Sequence, residues 1–530
     1  MKIVFFSPYA DIDRHAIPEA LIASELLKQG NDIFYVTCGG LFRSICNCMY
    51  AKGLNITEET SNEEKDKICI ECKIKSKNIT NIFPFKRIVL DNYLHEKDYN
   101  FAYNIVRQSK SMSPEKILFK KIKVGQYAAY EFCLNWKLNS LKFSKEERAR
   151  YEKHLLNCIY SVQAAEKIFA EINPQRIILY NGNYSVNRSI IELAKKKNIK
   201  FVSIHGGNHF QYRYESLYFE NDLSYQYRQN SCKAWQKFKL RKLTKENKIF
   251  VNDHINAWKK GEDLWVYSEP YEDKKENLKS KKGINYEKKV VSVLLSSFDE
   301  RFAAGLSESI PTRTNKMFRD QKKWINFIFS ISKKLPDIFF ILRVHPREYS
   351  NKRESITSKN KKYYEALKQK CPENIWVNTP EEKISLYDII KITDIALNQT
   401  STTGLECLYH GIPVLGTDPN VLFAYPKEFN HYSNSKKDYI KMIQKINTPK
   451  VSKDEIEKWI LFKCTDRCVY FPKIWPKENP IYLVLFNNLK FFRTQREIFR
   501  SFFHFRKILK LCNNIKSIQS LTPLIKFITK

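Results

Sequence analysis

The chain has 530 residues, 43% hydrophobic and 14% aromatic. This length and apolar content exclude a disordered, collagen-like or coiled-coil chain and provide for roughly two to four domains. Lys and Arg number 91 against 57 Asp and Glu, a formal net charge of +34. Such a field favours anionic partners without choosing among nucleic acid, anionic lipid and phosphate-bearing substrates.

The first elements read as β-α-β. Residues 2–6 are an apolar strand. Pro18 marks a helix start, because proline suits the first turn. Ala20, Leu21, Ala23, Leu26 and Leu27 continue at helical spacing, Gly30 closes the helix, and residues 32–38 are a second strand. A crossover of this kind predicts parallel strands in a doubly wound sheet. The N-terminal apolar run is shorter than the ~7–15 residues of a signal-peptide core. No window offers the ~20 apolar residues of a membrane span, so a cytoplasmic protein is expected.

Residues 39–80 are polar and cysteine-bearing, and 95–172 read as mostly helical, with a long charged helix near 145–171. The β-α rhythm returns with a strand at 176–180, a helix at 189–197 and a strand at 201–205, which leads into Gly206-Gly207. Residues 228–288 read as a Lys-rich, partly helical connector. A second β/α unit follows, with strands at 290–295, 338–344, 375–378, 395–398 and 412–415 and helices at 324–334, 385–390 and 405–409. The predicted organisation is an N-terminal Rossmann-like acceptor domain (1–227), the connector (228–288), a C-terminal Rossmann-like donor domain (289–430) and C-terminal helices with a basic tail (431–530).

In open α/β sheets ligands bind beyond the carboxyl ends of the strands. Five polar clusters fall there, at Asn181-Gly182, His205-Gly206-Gly207, 296–300, Arg343/His345 and 400–404, which makes a cleft between the two domains the expected site, and two of them are the strongest. The first is Gln399-Thr400-Ser401-Thr402-Thr403-Gly404-Leu405-Glu406, followed by Gly411-Ile412-Pro413. Hydroxyls and a glycine at a helix start suit an anion, and Glu406 is placed to accept hydrogen bonds from ribose hydroxyls. Ordinary capping needs one such hydroxyl, whereas four stand in a row. The second is Leu342-Arg343-Val344-His345-Pro346-Arg347-Glu348. Pro346 ends the strand, and the period of two puts Arg343 and His345 on one face. A cation beside an imidazole suits a phosphate and a proton donor.

The paired Rossmann domains, the RVHP element and the QTSTTGLEC…HGIPV element resemble the bacterial capsule polysaccharide biosynthesis glycosyltransferases. These have the GT-B fold and are related to Kdo transferases and bacterial sialyltransferases; the teichoic-acid glycerophosphotransferases share the same elements. The resemblance covers roughly residues 170–220 and 290–425, and more faintly 1–75. It implies an α/β, GT-B-like fold, two doubly wound domains facing a central cleft with extra helices. It also implies a glycosyltransferase that takes a nucleotide-sugar donor and a lipid-linked or growing surface-glycan acceptor; a helix N-terminus with Arg343 and His345 could stabilise the departing phosphate, so catalysis is expected to need no metal. Carried over by position, Arg343, Ser401, Thr402, Thr403, Gly404 and Glu406 bind the donor, His345 assists its leaving phosphate, and His205 faces the cleft. The second glutamate of many retaining GT-B enzymes, eight positions after the first, is replaced here by Val414, which leaves the stereochemistry open.

Asp299, Glu300, His205 and Asp11 lie on predicted strand-end loops and are the candidate general bases. A polyol-phosphate transferase of teichoic-acid type, and a non-catalytic sugar- or lipid-binding protein of polysaccharide export, are the alternatives. Nucleic acid is not an expected partner: zinc-finger, RNP-like and helix-turn-helix signatures are missing and the lysines are scattered. Cys38, Cys46, Cys48, Cys69 and Cys72 cluster, and Cys38, Cys46, Cys69 and Cys72 form a candidate four-thiolate structural zinc site. Between Lys490 and Lys530 stand ten basic residues and one acid. On a helix, Arg496, Arg500, His504 and Lys507 oppose Ile498, Phe502, Phe505, Leu509 and Cys512. This pattern predicts contact with an anionic membrane on its cytoplasmic face.

Overall fold

The computed structural model describes residues 1–54, 60–213, 215–261, 266–272, 277–352, 354–422, 424–470, 505, 506, 509, 510 and 518–530. Two sheets organise it. The first contains β1 (Lys2–Phe6), β2 (Asp32–Thr37), β3 (Lys86–Val89), β4 (Arg176–Tyr180), β5 (Lys200–Gly206) and β6 (Ser216–Glu220). The second contains β7 (Lys289–Leu294), β8 (Ile338–Arg343), β9 (Ile375–Asn378), β10 (Ile395–Asn398), β11 (Val414–Gly416) and β12 (His431–Tyr432). β13 (Cys468–Tyr470) returns to the first sheet, whose order is β13-β6-β5-β4-β1-β2-β3; the second runs β12-β11-β10-β7-β8-β9.

The second sheet is wholly parallel. In the first, β6 alone is reversed, pairing antiparallel with both β5 and β13. Parallel strands are covered on both faces and therefore read as continuous apolar runs. In β1, Val4 and Phe6 pack against the helices Val124–Asn135 and Lys145–Ile172. Ile3 and Phe5 face the helix Asp13–Lys28 and the C-terminal helix Thr522–Thr529. The Lys145–Ile172 helix starts at a capping box, Ser144 with Glu147, and stops where Asn173 turns left-handed at φ 51°. The chain is thus an α/β protein with two Rossmann-type sheets, as the alternating elements predict.

Three expectations change. Pro18 lies inside the Asp13–Lys28 helix rather than at its start, so one main-chain hydrogen bond is forgone there. Asp299 and Glu300 lie in the first turn of a helix, Phe298–Leu306, rather than on an open loop.

The third change concerns the chain ends. Trp235, Val251 and Ile255 of the expected connector sit in the core of the C-terminal half, with Trp459 and Phe462 of the helix Lys453–Thr465. The chain then crosses back. β13 completes the first sheet, and Leu521, Leu524, Ile525 and Ile528 pack beneath it beside Ile17 and Leu21. Arg176 Nε donates to the Ile528 carbonyl at 3.0 Å. Phe505 and Leu509, two of the residues read as a membrane-facing stripe, are buried in that same core. Their face is occupied by protein, which removes them from a lipid-binding surface. Ile498, Phe502, His504, Lys507 and Cys512 lie outside the described residues. Among the described residues no helix is long and apolar enough to cross a membrane.

Candidate functional site

Register places three strand ends in a row. Leu294 of β7 lies between Arg343 of β8 and Asn398 of β10. The segments that follow are Ser296-Ser297, His345-Pro346 and Gln399–Thr402, so the two strongest polar clusters of the sequence meet at one sheet edge.

The loop after β10 is fixed by Asn398. Its Oδ1 accepts the Ser401 amide at 2.9 Å, and its Nδ2 donates to the Ser401 carbonyl and to Tyr425 Oη at 2.9 and 2.8 Å. A Cβ on Gly404 would meet Tyr425 Oη at 2.1 Å and Asn398 Nδ2 at 2.5 Å. Glycine is required there for this close packing. Ser401 Oγ accepts the Thr403 amide at 3.3 Å, so Ser401 closes the turn and is buried. Thr402 is exposed, Thr403 half-buried. Thr400 Oγ1 meets Ser296 Oγ at 2.8 Å, which joins the ends of β10 and β7.

Glu406 accepts from Tyr387 Oη at 2.6 Å. Burial pushes its carboxyl up to about 7, against the pull of the Tyr387 hydroxyl and the Arg343 guanidinium. Arg343 itself is buried and donates to Asn378 Oδ1. Burial brings its pKa down to about 10, although Glu269, Glu382, Glu406 and Asp388 surround it. It stands behind the edge rather than in the open.

His345 is half-buried, and burial lowers its pKa, so the ring is neutral near pH 7. Its Nδ1 accepts the Arg347 amide at 3.2 Å. That hydrogen bond assigns the proton to Nε2 and leaves Nε2–H as a donor. The ring meets Tyr267 edge-on at 5.4 Å.

The sequence reading missed Arg347. Its guanidinium donates to Asp299 Oδ2 at 2.6 Å, to Tyr267 Oη at 3.0 Å, to Glu354 and to the Leu134 carbonyl of the N-terminal half. Asp299, expected as a base, is therefore enclosed in an ion pair. Burial raises it to about 7 while Arg347 opposes the shift. Ser297 Oγ donates to Glu300 at 2.6 Å.

Asp11 is buried between Lys75, at 2.9 Å, and Lys52. Burial alone would raise its pKa, but the two ammonium groups hold it below the usual carboxylate range. A carboxylate so paired is a poor base, which corrects its candidacy.

His205 lies on β5 in the other sheet. Its Nε2 is 3.2 Å from Ser203 Oγ and 3.6 Å from Glu220 Oε1.

A cavity of about 900 Å³ opens between the halves, within the range of small-molecule sites. Gln126, Asn139, Tyr227 and Arg228 line it from the N-terminal half, and Ser296, Arg301, Arg313, Arg319 and Thr400 from the C-terminal half. His205, Arg343, His345 and Glu406 are not among its lining residues. One flank is closed by Glu308, which accepts from Lys123 at 2.5 Å and from Tyr127 and Arg188 at 3.0 Å. The arginines were missed because they sit on no motif. The signal available was the long irregular stretch 307–320, since connections of about 12–15 residues or more usually serve a site.

Cys38, Cys46, Cys48, Cys69 and Cys72 line one small cavity at the carboxyl ends of β1 and β2. All are free thiols. Burial raises Cys38 and Cys69, and the Cys46 thiol raises Cys48 ahead of burial. Among the described residues no group of three or more His, Cys, Asp or Glu is arranged to hold a metal ion.

The sequence matches no protein-family model and no curated protein. Solved structures align with most of the chain at low identity and low TM-score. A sucrose-phosphate synthase from Thermosynechococcus elongatus is 9% identical over 88% of this chain and 94% of its own, with a TM-score of 0.27. A UDP-GlcNAc 2-epimerase from Methanocaldococcus jannaschii, in complex with UDP-GlcNAc and UDP, is 13% identical over 86% and 98%, with a TM-score of 0.25. A glycosyl transferase family 9 protein from Veillonella parvula is 10% identical over 87% and 97%, with a TM-score of 0.21. The fold assignment rests on the sheet topology itself.

Proposed function

We propose that the chain is a glycosyltransferase that moves a sugar from a nucleotide-activated donor to a lipid-linked or growing bacterial surface polysaccharide, of capsule or O-antigen type. The observation that carries this reading is the carboxyl end of the second sheet, where the segments after β7, β8 and β10 lie side by side and Ser296 and Thr400 open onto a 900 Å³ cavity between two Rossmann-type halves. Sugar transfer from a nucleotide needs donors aimed at the departing phosphate. In this reading His345 Nε2–H is one such donor and the Thr402 and Thr403 hydroxyls are others. Glu406, ionised, accepts from the donor ribose or sugar hydroxyls, and Arg343 behind it favours that ionised form. His205, with Glu220 beside it, serves the acceptor hydroxyl from the opposite half as base. The acceptor brings the chain to an anionic membrane surface through charge, because the described part of the tail's apolar stripe is buried.

Thermal-shift measurements with CMP, UDP and GDP, followed by turnover of the matching nucleotide sugars, test the reading. Stabilisation by one nucleotide and release of free sugar from its activated form support it. Consumption of polyol-diphosphonucleotides alone moves the chain to the polyol-phosphate transferases. Absence of binding and turnover across the panel dismisses an enzyme of this class.

A further inference from the structure

Resting on the transferase reading, we propose that the arginine-lined part of the cavity is a second anion subsite, which takes a phosphate or diphosphate group carried by the acceptor.

Four guanidinium groups line this one cavity. Arg228 comes from the N-terminal half, Arg301 from the helix Phe298–Leu306, and Arg313 and Arg319 from the stretch 307–320. Arg301 Nη2 donates to the Arg313 carbonyl at 2.9 Å, which ties down the segment bearing Arg313. The side chains of Arg313 and Arg319 are exposed and make no hydrogen bond or ion pair among the described residues. Arg228 is paired with Asp222.

Three carboxylates share the wall with these arginines. Glu308 is taken by Lys123, Tyr127 and Arg188. Asp320 accepts the Lys323 amide at 2.8 Å as a helix cap. Glu115 is the third acid at the wall. Arg313 and Arg319, which have no ion-pair partner among the described residues, leave their charge open to an entering anion. Their planar forks match phosphate oxygens in pairs, and Thr312 and Thr314 add hydroxyls to the same wall.

Position separates this group from the donor edge. Arg343, His345 and Glu406 lie on the β8 and helix 403–409 side, outside the cavity wall. Ser296 and Thr400 are where the two regions meet. Arg228 brings in the half of the chain that is left for the acceptor. A transferase that grips a phosphate on each substrate fixes both reacting groups, which lowers the entropic part of the barrier.

The test uses the full chain, farnesyl diphosphate as the probe of an organic diphosphate, and whichever of UDP, CMP or GDP stabilises the protein. Binding is read by calorimetry on wild type and on the double variant Arg313→Ala/Arg319→Ala, whose exposed, unpartnered side chains leave folding intact. The expected result is that farnesyl diphosphate binds with nucleotide saturating, and that the double variant weakens it about tenfold or more while nucleotide affinity stays within about twofold. Unchanged farnesyl diphosphate affinity in the variant, or no binding to wild type, overturns the subsite. Displacement by nucleotide, with both affinities lost in the variant, assigns the arginines to the donor instead and also overturns it. Arginine-dependent binding of farnesyl diphosphate with no nucleotide bound by the chain supports the subsite and removes the transferase reading.

Discussion

Arg347 Nε stands 2.6 Å from Asp299 Oδ2, with both side chains shut off from water. Through the same guanidinium the turn after β8 is tied to Tyr267, to Glu354 and to the Leu134 carbonyl of the other half. His345 lies two residues away and receives the Arg347 amide on Nδ1. The ion pair therefore sets the orientation of the imidazole and fastens one half of the chain to the other.

Removing Arg347 should be costly. Arg347→Ala leaves Asp299 without its cation in a buried place, where the loss of one partner costs about 3–5 kcal/mol, while Glu354 keeps Lys137 at 3.4 Å. Urea denaturation should show the midpoint falling accordingly. Arg347→Lys should recover only part of it, because an ammonium cannot reach all four acceptors. An unchanged midpoint in Arg347→Ala would dismiss the clamp.

His345→Ala should act on turnover and hardly on folding. The ring is half-buried, and under the proposed function its loss strips a proton donor from the leaving phosphate, an effect of about 10²–10⁴ in kcat. KM for the donor should change far less. Steady-state kinetics with the identified nucleotide sugar provide the check, and wild-type kcat in the variant would take His345 out of the mechanism.

Glu406 should give donor binding a pH dependence. Its carboxyl is raised to about 7 by burial, so it is mostly protonated below that value and ionised above it. The ionised form is the better acceptor for sugar hydroxyls. Nucleotide-sugar affinity should therefore rise as pH increases through about 7 and level off beyond it. Glu406→Gln should be weaker and flat over the same interval. Parallel pH profiles for wild type and variant would contradict this role.

Glu19 should give stability a pH dependence of opposite sense. Its carboxyl is buried on the Asp13–Lys28 helix, accepts from Ser7 Oγ and from the Tyr180 amide at 3.1 Å, and is raised by burial to about 8. Between the unfolded value of 4.5 and about 8 the folded chain holds a proton that the unfolded chain has released. Its contribution is therefore fully present at low pH and is lost as pH rises towards 8, at about 1.4 kcal/mol per unit. Glu19→Gln carries no charge; its Oε1 can keep the Tyr180 amide and its Nε2 donates to Ser7 Oγ in place of the reverse bond. Its stability relative to wild type should improve by about 2–3 kcal/mol from pH ~6 to pH ~8. Denaturation curves at the two values, if they differ by the same amount in both proteins, would place the proton elsewhere.

Much of the architecture was present in local pattern. Apolar runs such as Lys2–Phe6 and Ile338–Arg343 mark strands because both faces of a parallel sheet are covered, and Ser144 with Glu147 marks the start of a long helix because capping is a short-range interaction. The two clusters at RVHP and QTSTTG were legible for the same reason: a strand that ends in polar residues announces its own edge. That the two edges adjoin, with Leu294 between Arg343 and Asn398, came from strand order, which depends on pairings between residues far apart in the chain. Distant packing also decided the fate of individual groups. Asp11 and Asp299 look alike as acids beyond strands, yet one lies between two lysines and the other against Arg347. Phe505 and Leu509 look like a lipid-facing stripe until the core beneath the first sheet claims them. The cavity's arginines share no regular spacing: three lie between 301 and 319 on a helix and an irregular stretch, and Arg228 joins them from the other half. Helical and strand periodicity are properties of neighbours in sequence. Burial, ion pairing and shared cavities are properties of neighbours in space, and for this chain those were decided by the tertiary structure alone.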